Sequence, residues 1–299
     1  MKKVRANYMK KANFNVMHNR IIQSIFVFGA VILLAVSCQD VDFNGPKHGK
    51  AHMNVKLTDA PGDYQEVNVE VQALRIHYTP FSDDTVDVDP DKDGKWIELP
   101  VDPMTINLLE LTNGVDTLLS SADLDPGRYR ELRLILGHDN TVMVDDMLHD
   151  LKVPSGQQSG YKIKFKTELE AGEELDVIID FDASRSVHKA GRSGKYILKP
   201  VLKAFVESGE KAEAGSISGT VEPVDARPTV FAVAGSDTIS STHADTTDGG
   251  FMLRGLEEGL YDLVIEPAGD QYSVTTETGI SVESGSETNL DPIILDENE

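Results

Sequence analysis

The stretch LDPGRYRELRLIL, Leu124–Leu136, has a counterpart in LEEGLYDLVI, Leu256–Ile265. Both begin Leu-x-x-Gly-x-Tyr and run on as strand-like sequence. A glycine turn that delivers a Tyr to the start of a strand, with the hydroxyl returned to nearby backbone, is the tyrosine corner of Greek-key sandwiches. One copy would say little. Two copies, in two separate regions, point to two β-sandwiches rather than one large barrel. They also give Tyr129 and Tyr261 a structural role in place of a catalytic one, since a buried phenol needs a partner for its hydroxyl.

The surrounding pattern has the period of a strand. Met53, Val55 and Leu57 alternate with polar residues, as do Val67, Val69 and Val71. The apolar set then shifts to Leu74 and Ile76, which predicts a bulge near Gln72-Ala73. Leu132, Leu134 and Leu136 form another face. Ile163, Phe165 and Leu169 alternate with Lys162, Lys164 and Lys166, and Leu175, Val177, Ile179 and Phe181 make a further strand. Only INLLELTNG, Ile106–Gly114, reads as a short helix, ended by Asn113-Gly114. Many short strands between turn signals give an all-β protein of two tandem antiparallel sandwiches. Residues 51–206 form the first. ESGEKAEA, 207–214, has no apolar periodicity and reads as a linker. Residues 215–295 form the second, and 296–299 an acidic tail.

The N-terminus reads as an address. Basic residues precede IIQSIFVFGAVILLAV, an apolar run shorter than the roughly 20 residues of a spanning helix. Ala35-Val36-Ser37 then leads into Cys38, the single cysteine of the chain. This resembles a bacterial lipobox, with Ala35 where Leu is commoner. Residues 1–37 are then a lipoprotein signal peptide, and Cys38 carries the lipid. Met17 gives a tidier start than Met1. Residues 38–50 read as a polar tether. Acids soon after Cys38 resemble the surface-export signal of Bacteroidota lipoproteins, which implies the outer membrane, on its periplasmic or its outer face. A lone cysteine leaves no intramolecular disulfide, so stability comes from packing.

Charge narrows the partners. The chain has 28 Lys+Arg against 50 Asp+Glu. Six of the basic residues precede Cys38 with no acid among them, so the remainder carries about −28. A body this acidic repels nucleic acid and anionic membrane surfaces, and favours cations and basic partners.

Two family resemblances follow from these residues. LTDAPGDYQEVNV (Leu57–Val69), INLLELTNG, GRYRELRLIL (Gly127–Leu136), PSGQQSGYKI (Pro154–Ile163), IIDFDASRSV (Ile178–Val187) and YILKPVL (Tyr196–Leu202) resemble the domain of unknown function 4382 family. That family is found mostly in bacterial lipoproteins, so the resemblance implies a sandwich and an envelope location and supplies no activity. GSISGTV (Gly215–Val221), Thr247–Phe251 and Leu256–Tyr261 resemble the carboxypeptidase regulatory-like, or transthyretin-like, fold. Such modules are usually accessory, and some relatives bind carbohydrate.

Several groups are candidates for chemistry. Asp89, Asp91 and Asp93, followed by Gly94, fit the first half of an EF-hand loop. Pro100 stands where the last, bidentate acid belongs, and KWIEL reads as a strand. Glu98 is the nearest substitute. The stretch is either a weak calcium site in a hairpin loop or a solvated acidic loop. Asp180 and Asp182 share one face of a strand. They form either a metal or acid–base pair, or caps for the turn into SRSV with Arg185 as partner. Asp59 and Asp63 read as turn residues. PSGQQSGYK lacks the G-x-S-x-G elbow, and GRSGK (Gly191–Lys195) lacks the spacing of a phosphate loop. The histidines are scattered, without zinc spacing. A Ser-His-Asp triad would have to be assembled by folding. Lys162, Lys164 and Lys166 either guard a sheet edge and pair with acids, or receive an anion.

The expectation is a non-enzymatic, lipid-anchored envelope lipoprotein acting as a binding or assembly module. No cofactor is implied beyond calcium, and the partner is a protein or a glycan. The alternatives are carbohydrate binding and a hydrolase with dispersed residues.

Overall fold

Alternating apolar residues become strands whose buried sides face one another. The computed structural model of the chain describes residues 49–60, 62, 64–81, 94–154, 159–191, 194–207 and 212–298. Cys38, Asp63 and the acids Asp89, Asp91 and Asp93 lie outside them.

The first sandwich is built from β1 (Ala51–Ala60), β2 (Glu66–Pro80), β3 (Lys95–Leu99), β4 (Met104–Asn107), β5 (Thr117–Leu124), β6 (Gly127–Leu136) and β7 (Thr141–Val144). It continues with β8 (Met147–Lys152), β9 (Tyr161–Leu169), β10 (Glu174–Asp182), β11 (Val187–Lys189), β12 (Tyr196–Leu198) and β13 (Leu202–Val206). A one-turn helix, α1 (Ala183–Ser186), follows β10. Among the described residues, one sheet has four strands in the order β13-β10-β1-β5. The other has nine, with β2 and β6 at its centre and β9 at one end. β1 runs parallel to β10, Met53 opposite Leu175 and Leu57 opposite Ile179. Met53, Val55 and Leu57 from one sheet and Val67, Val69, Val71, Leu74 and Ile76 from the other meet in one core. Each such fully buried aliphatic side chain contributes roughly 1.5–3 kcal/mol. The expected bulge is present: the pairing of β2 with β6 shifts register between Val71 and Ala73.

The second sandwich comprises β14 (Gly215–Glu222), β15 (Thr229–Ala234), β16 (Asp237–His243), β17 (Gly250–Leu256), β18 (Gly259–Glu266), β19 (Thr275–Val282), β20 (Glu287–Asn289) and β21 (Ile293–Ile294). β14 lies between β17 and β20 and also pairs with β21, and β16-β15-β18-β19 make the facing sheet. Ile217, Val221, Leu253, Leu263 and Ile265 lie in its separate core.

One local expectation needs correction. INLLELTNG forms no α-helix. Its first residues complete β4, which pairs with β2, and only Leu108–Glu110 turn as a 3-10 helix with Leu108 buried. Pairing with β2 takes up Ile106 and Asn107, and the few residues left before Asn113-Gly114 are too short for a stable α-helix. The residues read as an acidic tail are held to the second sandwich. Ser273 N donates to Asp296 O at 2.8 Å, and Asn298 N to Gln271 O at 2.8 Å.

Candidate functional site

The two tyrosines sit at equivalent turns. Tyr129 donates its hydroxyl to Asp125 O at 2.6 Å, and Tyr261 donates to Glu257 O at 2.9 Å, each four residues upstream. Burial raises the pKa of both phenols.

The paired carboxylates separate into different tasks. Asp182 caps α1: its Oδ1 accepts from Arg185 N at 2.9 Å and Ser184 Oγ at 3.0 Å. Arg185 Nη1 lies 3.7 Å from Asp182 Oδ2. Asp180 stands between Thr58 of β1 and Lys203 of β13 in the sheet. Burial pushes its pKa up to about 6, with Lys203 and Arg254 opposing and Asp182 adding to the rise. Asp59 is not a local turn residue. It is buried at the end of β1, and its Oδ1 accepts from Ala183 N, 124 residues later, at 2.9 Å. Burial pushes its pKa well above the usual carboxylate range, and the charges of Asp180 and Asp182 raise it further. Its Oδ2 has no hydrogen-bond partner among the described residues. A proton on Asp59 removes the larger cost of a buried, half-satisfied charge.

Asp59 and Asp180 line a cavity of about 20 Å³ whose opposite wall is the second sandwich, including Thr242, Met252 and Arg254. Arg254 dominates this junction. It projects from β17, 10 % exposed. Its Nη1 donates to Gly114 O at 3.0 Å, and both terminal nitrogens reach Asp116 Oδ2 at 3.1 Å. Its Nε donates to Glu207 Oε1 at 2.6 Å, and Nη2 also contacts that oxygen. A guanidinium fork held by two carboxylates and a carbonyl is strongly directional. Asn113 joins it: its N donates to Thr242 Oγ1 at 3.1 Å and its Nδ2 to Gly250 O at 3.1 Å. Gly114 has φ +79, and a Cβ there would lie 2.8 Å from Met252 Sδ. Gly255 has φ +71, and a Cβ there would lie 2.6 Å from the Phe205 ring. Lys203 Nζ donates to Ile239 O at 2.6 Å. Glu207, the first residue of the segment read as a linker, is therefore part of the junction.

Folding also assembles a Ser-His-Asp chain that the sequence did not reveal. His52 and Asp123 face each other across β1 and β5, as do Asn54 and Ser121. His52 Nδ1 lies 2.8 Å from Asp123 Oδ1, and Nε2 lies 2.9 Å from Ser121 Oγ. The group lies open to solvent, with Asp123 73 % exposed. The hydrogen bond to Asp123 leads the causes that raise the pKa of His52, which favours imidazolium. The Asp of a catalytic triad favours imidazolium in the same way, so what sets this group apart is its exposure, because catalysis gains most where water is excluded.

A third assembly is basic. The row Lys162, Lys164, Lys166 on β9 lies beside Arg130 and Arg133 of β6, around a groove of about 570 Å³ that also contains Trp96. Of the calcium candidates, Glu98 is described, and it pairs with Arg75 Nε at 3.1 Å. Among the described residues, no group of three or more His, Cys, Asp or Glu side chains is placed to hold a metal ion.

The model of the domain of unknown function (DUF4382) matches residues 50–200, the span of the first sandwich through β12. The chain belongs to this family. No curated protein matches it. Among solved structures, the chain is similar to a type II cohesin–X-dockerin complex of Acetivibrio cellulolyticus, with 21 % identity and a TM-score of 0.21. That match covers 27 % of this chain and 56 % of that one, so the chain spans about half of its length. It is also similar to GBS52, the minor pilin of Streptococcus agalactiae, with 12 % identity over 83 % of this chain and 97 % of that one, TM-score 0.21. The shaft pilin SpaA of Lactobacillus rhamnosus GG gives 10 % identity over 84 % and 99 %, TM-score 0.23. Belonging to DUF4382 carries no activity with it, so function has to be argued from the site.

Proposed function

We propose that the chain is a non-enzymatic binding or assembly module of the bacterial cell envelope, held at the outer membrane by a lipid on Cys38. One observation supports this most: the polar groups buried in or between the sandwiches are engaged in holding the fold. Tyr129 and Tyr261 close turns, Asp182 caps a helix, and Arg254 ties the two sandwiches together. What remains for function is surface. The second sandwich, 215–295, is read as an accessory module of the carboxypeptidase regulatory-like kind, on the motifs at Gly215–Val221 and Leu256–Tyr261. The anchor is tested by fatty-acid labelling and membrane fractionation. Cys38→Ala is expected to lose the label and leave the membrane fraction. A variant that fractionates and labels like the parent overturns the reading.

The Ser121–His52–Asp123 chain favours a second reading, a hydrolase. Its exposure argues against it. Hydrolysis of p-nitrophenyl acetate should be the same for the parent and Ser121→Ala. A loss of about a hundredfold or more in the variant would establish the second reading.

A further inference from the structure

We propose that the outer face of β6 and β9 is a binding site for an anionic polysaccharide, one carrying carboxylate or sulfate groups. This gives a ligand class to the binding module proposed above and rests on that reading.

The face is a basic island on an acidic protein. Lys162, Lys164 and Lys166 point outward from alternate positions of β9, while Ile163 and Phe165 are buried behind them. At two residues per step the row extends about 13 Å. One strand inward, Glu131 is opposite Lys164 and Arg133 is opposite Lys162. Arg133 Nε holds Glu131 at 3.2 Å, and Lys162 Nζ is 3.9 Å from the same oxygen. Glu131 is thus the single acid in the groove, shared between two cations. Among the described residues, Lys164 and Lys166 have no carboxylate partner. A second groove of about 460 Å³ shares Arg130 and Lys166 with the first, but it also contains Glu213 and Glu168, the latter paired with Arg128 at 2.9 Å, so the basic face is centred on the first groove.

An edge guard accounts for part of this. β9 ends its sheet, and a lysine row there discourages pairing with another chain. β6, however, is an interior strand between β2 and β9. Its arginines have no edge to guard. Nor does an edge guard require an aromatic ring, yet Trp96 forms the far wall, 37 % exposed. The Arg133 guanidinium lies 4.0 Å from its ring centroid, and His77 meets it edge-on at 5.1 Å. A fixed guanidinium over an indole is a rigid, pre-organised donor.

The chemistry selects the ligand. The groove offers donors from three lysines, two arginines and His77, and Glu131 is its carboxylate acceptor. An extended peptide brings backbone N–H groups that need acceptors and apolar side chains that need pockets. Nucleic acid bases need an open aromatic face, and Arg133 covers one face of Trp96. A sugar chain with carboxylates or sulfates brings acceptors at intervals along a line, with hydroxyls between them. Screening over about 8 Å at physiological salt separates the groove from the acidic remainder of the molecule.

Trp96 is the only tryptophan of the chain, so its fluorescence reports on this groove. The full chain in detergent is titrated with polygalacturonate, dextran sulfate, neutral dextran and polyglutamate. Saturable change is expected with one or both anionic polysaccharides and none with dextran. The polygalacturonate and dextran sulfate arms distinguish carboxylate from sulfate recognition. The double substitution Lys164→Glu, Lys166→Glu, at two exposed positions, should weaken binding roughly tenfold or more while the circular dichroism stays unchanged. Silence toward both anionic polysaccharides overturns the proposal, as does binding that survives the charge reversal or tighter binding of polyglutamate. Because Cys38-dependent fractionation is read separately, a silent groove in a protein that still fractionates with membranes removes the ligand class and leaves the envelope module standing.

Discussion

Asp180 shows how a residue's chemistry depends on neighbours far away in sequence. Lys203 lies opposite it on β13, Arg254 and Asp182 are close, and burial outweighs the two cations, so its pKa rises to about 6. The raised value fixes the sign of its effect on stability. Between the ordinary Asp value near 3.9 and about 6, the folded chain holds a proton that the unfolded chain has released, so stability falls as pH rises through this window. Above it, the ionised carboxylate remains a cost. Asp180→Asn removes that cost while keeping the shape. Its melting temperature at pH 7.5 should exceed the parent's, by roughly 2–4 °C for each kcal/mol regained at this chain size. The gap should close toward pH 5. An equal or lower melting temperature at pH 7.5 would refute this. The cap formed by Asp182 was legible in FDASRS because its partners are its own neighbours. The setting of Asp180 was not, and neither was that of Asp59, which answers to Ala183 across the fold.

Elements were readable wherever one face is buried, because period two then appears directly in the residues. The bulge at Val71–Ala73 showed as a slip in the apolar set. Ile106–Gly114 misled because its Leu and Glu have helix propensity, yet β4 takes its first two residues and only Leu108–Glu110 turn, as a 3-10 helix. Its closing turn matters more than its helix. Asn113 (φ 59) and Gly114 (φ 79) were read as a stop signal, and they also present Asn113 and Gly114 O to the second sandwich. The lysines of β9 were visible in sequence. Their groove was not, because Arg130, Arg133 and Trp96 join it only through the register of three other strands.

At the scale of the molecule, the hydrogen bonds of Arg254, Asn113 and Lys203 predict that the two sandwiches move as one body. Some of the contacts that join them link residues more than a hundred positions apart, such as Arg254 with Asp116 and Gly114. In sequence, Arg254 is one polar residue in a strand, and nothing local marks it as buried. Losing one partner of a buried ion pair typically costs about 3–5 kcal/mol, so Arg254→Met should release the junction. The direct measurement places spin labels at cysteines introduced at the exposed positions Asp150 and Glu277, on β8 and β19, in a Cys38→Ser background. One narrow distance distribution is predicted for the parent, broadening in Arg254→Met. A broad distribution in the parent, or a narrow one that survives the substitution, would contradict the account.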